Sequence, residues 1–124
     1  MNYYTVKQIA IPENEKNLPN ECGSWSECIE KSFHWKTKLD MQRVDFVEGD
    51  FEMSQQQKDV YTDRYLVQAN DLEDVFRITN LWDQPDQVHT YTPGHSTSVG
   101  DIIVDNATGD EYIVAGFGFN KIAA

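Results

Sequence analysis

The chain has 124 residues, 40% of them hydrophobic and 12% aromatic, with 10 Lys and Arg against 21 Asp and Glu and a formal net charge of −11. That length supports one domain around one core, and the aromatic content excludes intrinsic disorder. No apolar run approaches the roughly 20 residues of a spanning helix, and phosphate backbones and anionic lipid repel so acidic a chain, so neither a membrane span nor direct nucleic-acid binding is expected.

Residues 3–11 are β-rich and stop at Pro12, which predicts a strand followed by a polar loop to Gly23. The first seven residues lack a basic n-region and an apolar h-region, so no signal peptide is expected and the protein reads as cytoplasmic, in a bacterial host cell. Ser24-Trp25-Ser26-Glu27 has the form of a capping box, and Trp25, Cys28, Ile29 and Phe33 repeat at helical spacing, which predicts a helix over about 24–36. Trp25 and Phe33 read as core, with Trp35 off the main helical face.

Met41–Glu48 reads as a strand, Glu48-Gly49-Asp50 as a turn, and Phe51-Glu52-Met53 as a short returning hairpin arm. A polar loop follows over 54–59, then a strand over 61–69. Asn70 or Asp71 caps a second helix, about 71–80, with Leu72, Val75, Phe76 and Thr79 on one face and Glu73 and Asp74 in the first turn, where the helix dipole favours acids. Residues 82–95 read as an extended loop, and 102–115 as a C-terminal β-hairpin turning at Asp105–Asp110. The expected fold is therefore α+β: a single domain, residues 1–124, with a mostly antiparallel sheet and two helices. An exposed edge strand at either terminus would offer a pairing surface for a homodimer.

Motifs for catalysis are sparse. The chain has no phosphate-binding glycine loop, no His-Glu-x-x-His and no nucleophile elbow, so no catalytic residue, cofactor site or metal site is assigned. Gly116-Phe117-Gly118-Phe119 reads as close strand packing or a bulge. Cys22 and Cys28 are six residues apart, outside zinc-knuckle spacing, and read as reduced thiols; a cluster with His34 would lack a fourth ligand. His89 and His95, with Asp86 or Asp101, form the one constellation that spacing permits for a metal-assisted enzyme. A nucleotide-binding module is a further alternative and requires arginines such as Arg43, Arg64 and Arg77 to cluster in one cavity.

Charge is uneven: residues 1–40 are nearly neutral and residues 41–124 carry −10. Asp45, Glu48, Asp50 and Glu52, together with Asp83 and Asp86 beside Trp82, are the candidate partner contacts, since acids attract basic surfaces and tryptophan is enriched at binding hot spots. Matching the charge density of a duplex would need about 20 acids on one face of a domain this size, so any nucleic-acid mimicry is partial.

Three stretches resemble a known group: Asp71–Asn80, then His95-Ser96-Thr97-Ser98-Val99-Gly100-Asp101-Ile102, then Gly116–Ile122. Together, over about residues 61–122, they are similar to YodL-like domains, small accessory domains of phages, plasmids and conjugative elements found beside antirestriction modules. The resemblance implies a mobile-element setting and transfers no catalytic residue. With the acidic balance it leads to one expectation: a counter-defence protein that binds and inhibits a basic host protein, either a restriction nuclease or a CRISPR component.

Overall fold

A computed structural model describes residues 2–123. Six antiparallel strands form one sheet: β1 (Asn2–Ile9), β2 (Tyr61–Ala69), β3 (Val88–Thr90), β4 (Ile102–Asp105), β5 (Glu111–Val114) and β6 (Phe119–Lys121). Their order is β3-β2-β1-β4-β5-β6, so the chain is α+β with an antiparallel sheet. The N-terminal strand is not an edge, contrary to expectation: β1 pairs with β2 on one side and β4 on the other. The β4–β5 hairpin falls where the alternating pattern places it.

Among the described residues five α-helices accompany the sheet, not two: α1 (Leu18–Glu21), α2 (Trp25–Lys31), α3 (Phe33–Met41), α4 (Gln55–Asp59) and α5 (Leu72–Leu81). The expected single helix over 24–36 is broken at Ser32, whose extended backbone (φ −140°, ψ 114°) ends α2 while its hydroxyl accepts the Trp35 N–H and starts α3. Ser24 caps α2 through the Glu27 N–H, but Glu27 reaches one residue further back than a capping box requires, accepting from the Gly23 N–H at 2.8 Å. Trp25 and Phe33 are exposed, and Trp35 is half-buried with its indole N–H on the Glu15 carbonyl. Residues 12–23 and 54–59, expected as loops, hold α1, α4 and a 3-10 turn at Glu13–Glu15. Residues 82–95 hold a further 3-10 turn, Pro85–Gln87, and β3.

α5 covers one sheet face. Val75 and Ile78 pack on Tyr4, Val6, Tyr65, Val67, Ala69 and Ile103, while Phe76 turns to the flank and stays exposed. The opposite face buries Ile9, Ile102, Ile113 and Ile122 under Met41, Val44 and Val60. Burying a side chain of this size stabilises by about 1.5–3 kcal/mol, so the two faces hold the fold against chain entropy. A bulge in β2 leaves Arg64 opposite no β1 residue, since Val6 pairs with Tyr65 and Lys7 with Asp63. Its carbonyl accepts the Tyr91 N–H and its guanidinium donates to the Pro93 carbonyl, which starts the 91–101 segment over the end of the sheet.

Candidate functional site

The carboxylates singled out in the sequence fall into two groups. Residues 42–50 are not a strand; α3 runs on to Met41 and the chain then lies along β6. Gly116 N–H donates to the Val44 carbonyl, the Asn120 side chain bonds the Asp45 carbonyl and the Val47 N–H, and Phe51 bridges Ile122. These bonds tie the segment down without a hairpin and cover the C-terminal edge of the sheet. Asp45, Glu48, Asp50 and Glu52 are all exposed along this segment. None of the four pairs with a cation among the described residues. Between them, Phe46 is 57% exposed and Val47 stands out beside it.

Trp82, Asp83 and Asp86 lie elsewhere. They follow α5 and precede β3, at the other edge of the sheet; five strand spacings of about 4.8 Å separate the two edges, roughly 24 Å. Trp82 takes the left-handed conformation (φ 54°) that ends α5, and its ring meets Tyr65 edge-on at 5.4 Å. Asp83 lies 3.5 Å from Arg77, which also holds Asp74 at 2.7 Å. Trp82 and Asp83 thus have intramolecular work, and the seven candidate contacts do not form one continuous face.

The His95–Asp101 stretch builds a buried polar cluster. Gln8, fully buried on β1, donates to Asp101 Oδ2 at 2.9 Å and to the His95 carbonyl at 2.8 Å, and accepts the His95 N–H. Asp101 Oδ2 also accepts the Ser98 N–H. The Thr79 and Thr97 hydroxyls bond each other beneath α5, and Asn80 donates to the Thr97 carbonyl. Burial pushes the Asp101 carboxyl up to about 6, against the opposing pull of its bonds to Ser98 and Gln8 and of the nearby His95 and Lys38 charges. Gly100 sits at φ +94° with the Met41 carbonyl so close that a Cβ would lie 2.7 Å from it. A cavity of about 50 Å³ beside Asp101, lined by Lys38, Met41 and His95 among others, has room for a few waters and not for a substrate. The motif therefore acts as a staple that fixes the 95–101 loop to β1.

His95 is in this cluster, but His89 stands exposed on β3 against Tyr91, and no group of three His, Cys, Asp or Glu among the described residues could hold a metal ion. Arg43 lies in the turn after α3, Arg64 on β2 and Arg77 on α5, and of the three only Arg77 lines one of the four main cavities of the described residues. Cys28 is buried in α2 beside Cys22, and burial pushes its thiol up. His34 lies 3.6 Å from Glu15.

The structure gives a surface role to aromatics that the sequence places in packing. Gly116–Gly118, expected as close strand packing or a bulge, is a tight turn between β5 and β6, closed by the Ala115 N–H on the Gly118 carbonyl, that holds Phe117 83% exposed. Phe76 and Phe119 flank it across a groove. Two glycines around a phenylalanine, one at φ +75°, mark such a projecting turn in retrospect.

No helix of the described residues is long and apolar enough to cross a membrane. Comparison of the chain with protein-family models, curated proteins and solved structures finds no match.

Proposed function

We propose that this chain is a counter-defence protein of a phage or mobile element, acting by stoichiometric binding to a basic surface of a host nucleic-acid-targeting protein, a restriction enzyme or CRISPR effector. One observation carries the reading: four exposed carboxylates, Asp45, Glu48, Asp50 and Glu52, lie unpaired among the described residues along one edge segment, around the exposed Phe46 and Val47. Acids that have no internal partner contribute little to the fold and keep their full charge for an incoming basic surface. Exposed apolar side chains among them supply the burial that holds a complex once charge has steered it together. The resemblance of residues 61–122 to YodL-like domains supplies the setting. The scattering of Arg43, Arg64 and Arg77 weighs against a nucleotide-sequestering module, and the separation of His89 from the His95 cluster weighs against a metal-assisted site.

The test is titration of the purified protein into cleavage assays of restriction and CRISPR nucleases. The expected result is inhibition that saturates at a fixed molar ratio and weakens with salt. Turnover of any component by the protein, or inhibition of none of these enzymes, overturns the reading.

A further inference from the structure

The face next to the acidic segment has a shape of its own. The turn after β5 carries Phe117 clear of the sheet, and α5 presents Phe76 opposite it. Between them runs a groove of about 380 Å³, lined also by the buried Val114 and Ala115 and by Phe119. That is the lower range of volumes that hold a bulky ligand group. Phe46 sits across the turn, its ring 3.8 Å from where a Gly118 Cβ would stand, so aromatic surface continues from the groove onto the 45–52 segment. An aromatic ring 83% exposed on a short turn costs solubility and contributes nothing to the core.

The two charged side chains placed at the groove are both acidic. Glu73 lines it, and the Asp45 carboxylate stands beside Gly116 at its rim. On α5 and β6 the basic residues are engaged elsewhere, Arg77 by Asp74 and Asp83 and Lys121 by Asp110; Arg43, exposed two residues before Asp45, is not among the residues that line the groove. A second copy of a chain with net charge −11 would bring like charges to this rim, and anionic lipid would do the same.

We infer that the Phe76–Phe117–Phe119 groove is the anchor site of the complex and takes one large apolar side chain from a partner-protein segment that carries lysine or arginine on both sides of it. The inference rests on the proposed binding of a basic protein and names the part of that protein which docks. The apolar side chain enters between Phe76 and Phe117, while the flanking cations meet Glu73 on one side and Asp45 on the other. Arrangements of this kind combine a buried anchor with a charged rim, and most of the loss on mutation falls on the anchor.

The experiment is a titration of isotope-labelled protein, followed by amide chemical shifts, with three short peptides: lysines flanking a tryptophan, the same lysines flanking a serine, and glutamates flanking the tryptophan. The expected result is that only the Lys-Trp peptide shifts residues 73–76 and 114–119, and that Phe117→Ala weakens it by about tenfold or more. Phe117 is exposed, so the variant is expected to fold, and its unchanged amide spectrum away from the turn checks this. Equal binding of the serine and tryptophan peptides would overturn the groove as an anchor while leaving a charge-driven partner intact. Equal binding of the glutamate peptide, or shifts confined to the β3 edge, would overturn the basic segment as occupant. A dimer in solution that Phe117→Ala converts to monomer would assign the groove to a second copy and overturn the inference.

Discussion

Gln8 Nε2 lies 2.9 Å from Asp101 Oδ2, a buried bond between positions 93 residues apart. It connects the middle of the sheet to the loop that leads into β4, and the same amide group grips that loop at His95. A buried polar group without its partner costs about 1–3 kcal/mol, so each half of the pair is committed to the other. The His95–Asp101 stretch therefore has an architectural role, fixing the loop ahead of β4 to β1.

The buried carboxyl makes stability depend on pH. Asp101 has an ordinary value of 3.8 and is raised to about 6 in the fold. The native state thus holds a proton more tightly than the unfolded chain. The contribution of this group is fully present below about pH 4 and is lost as pH rises through about 6, a difference of up to about 3 kcal/mol. Asp101→Asn keeps an oxygen for Gln8 and Ser98 and never ionises. Urea unfolding from about pH 4 to about pH 7.5 should show the wild type losing stability relative to Asp101→Asn as pH rises. Parallel pH profiles would contradict the assignment.

Two glycines separate backbone strain from steric exclusion. Gly100 and Gly109 both have positive φ, but a Cβ at Gly100 meets the Met41 carbonyl whereas one at Gly109 meets nothing within 4 Å. Gly109→Ala is expected to cost about 1–2 kcal/mol from conformation alone. Gly100→Ala should cost more, about 3 kcal/mol or above, because the obstacle is main chain that cannot rotate away. Thermal melts of the two variants side by side measure the difference, and equal losses would show that α3 gives way.

Trp82 is expected to matter to the fold and not to the complex. Its edge-on contact with Tyr65 is worth about 1 kcal/mol beyond the area it buries. Trp82→Ala should lower the melting temperature by several degrees for a domain of this size. Nuclease inhibition by the variant, measured below its melting transition, should be unchanged; a loss of inhibition with the fold intact would return Trp82 to the contact surface.

Local chemistry was legible in the sequence, and distant pairing was not. The strand at 61–69 and the Asp71 cap follow from alternation and from a carboxylate placed to accept the Asp74 N–H. The turn between Ile102–Asp105 and Glu111–Val114 follows equally from its Asn, Thr and Gly residues. Met41–Glu48 misled because Val44 and Phe46 alternate like a strand, while the Val44 carbonyl is bonded by Gly116 and the Asp45 carbonyl and Val47 N–H by the Asn120 side chain, which no local pattern reveals. The helix break at Ser32 depends on one hydroxyl serving the next turn. Of the candidate site, the four carboxylates from 45 to 52 were visible as charges; their separation from Asp83 and Asp86 depends on strand order.

The central claim is that binding runs through the edge beside β6. The direct measurement is capture of a restriction or CRISPR nuclease from host lysate, at about 100 mM and about 500 mM salt, by three forms of the protein: wild type, Asp45→Asn/Glu48→Gln/Asp50→Asn/Glu52→Gln, and Asp83→Asn/Asp86→Asn. The account predicts capture by the wild type and the 83/86 variant at low salt, weakened at high salt, and loss of capture by the 45–52 variant. Undiminished capture by the 45–52 variant, or loss confined to the 83/86 variant, would contradict it.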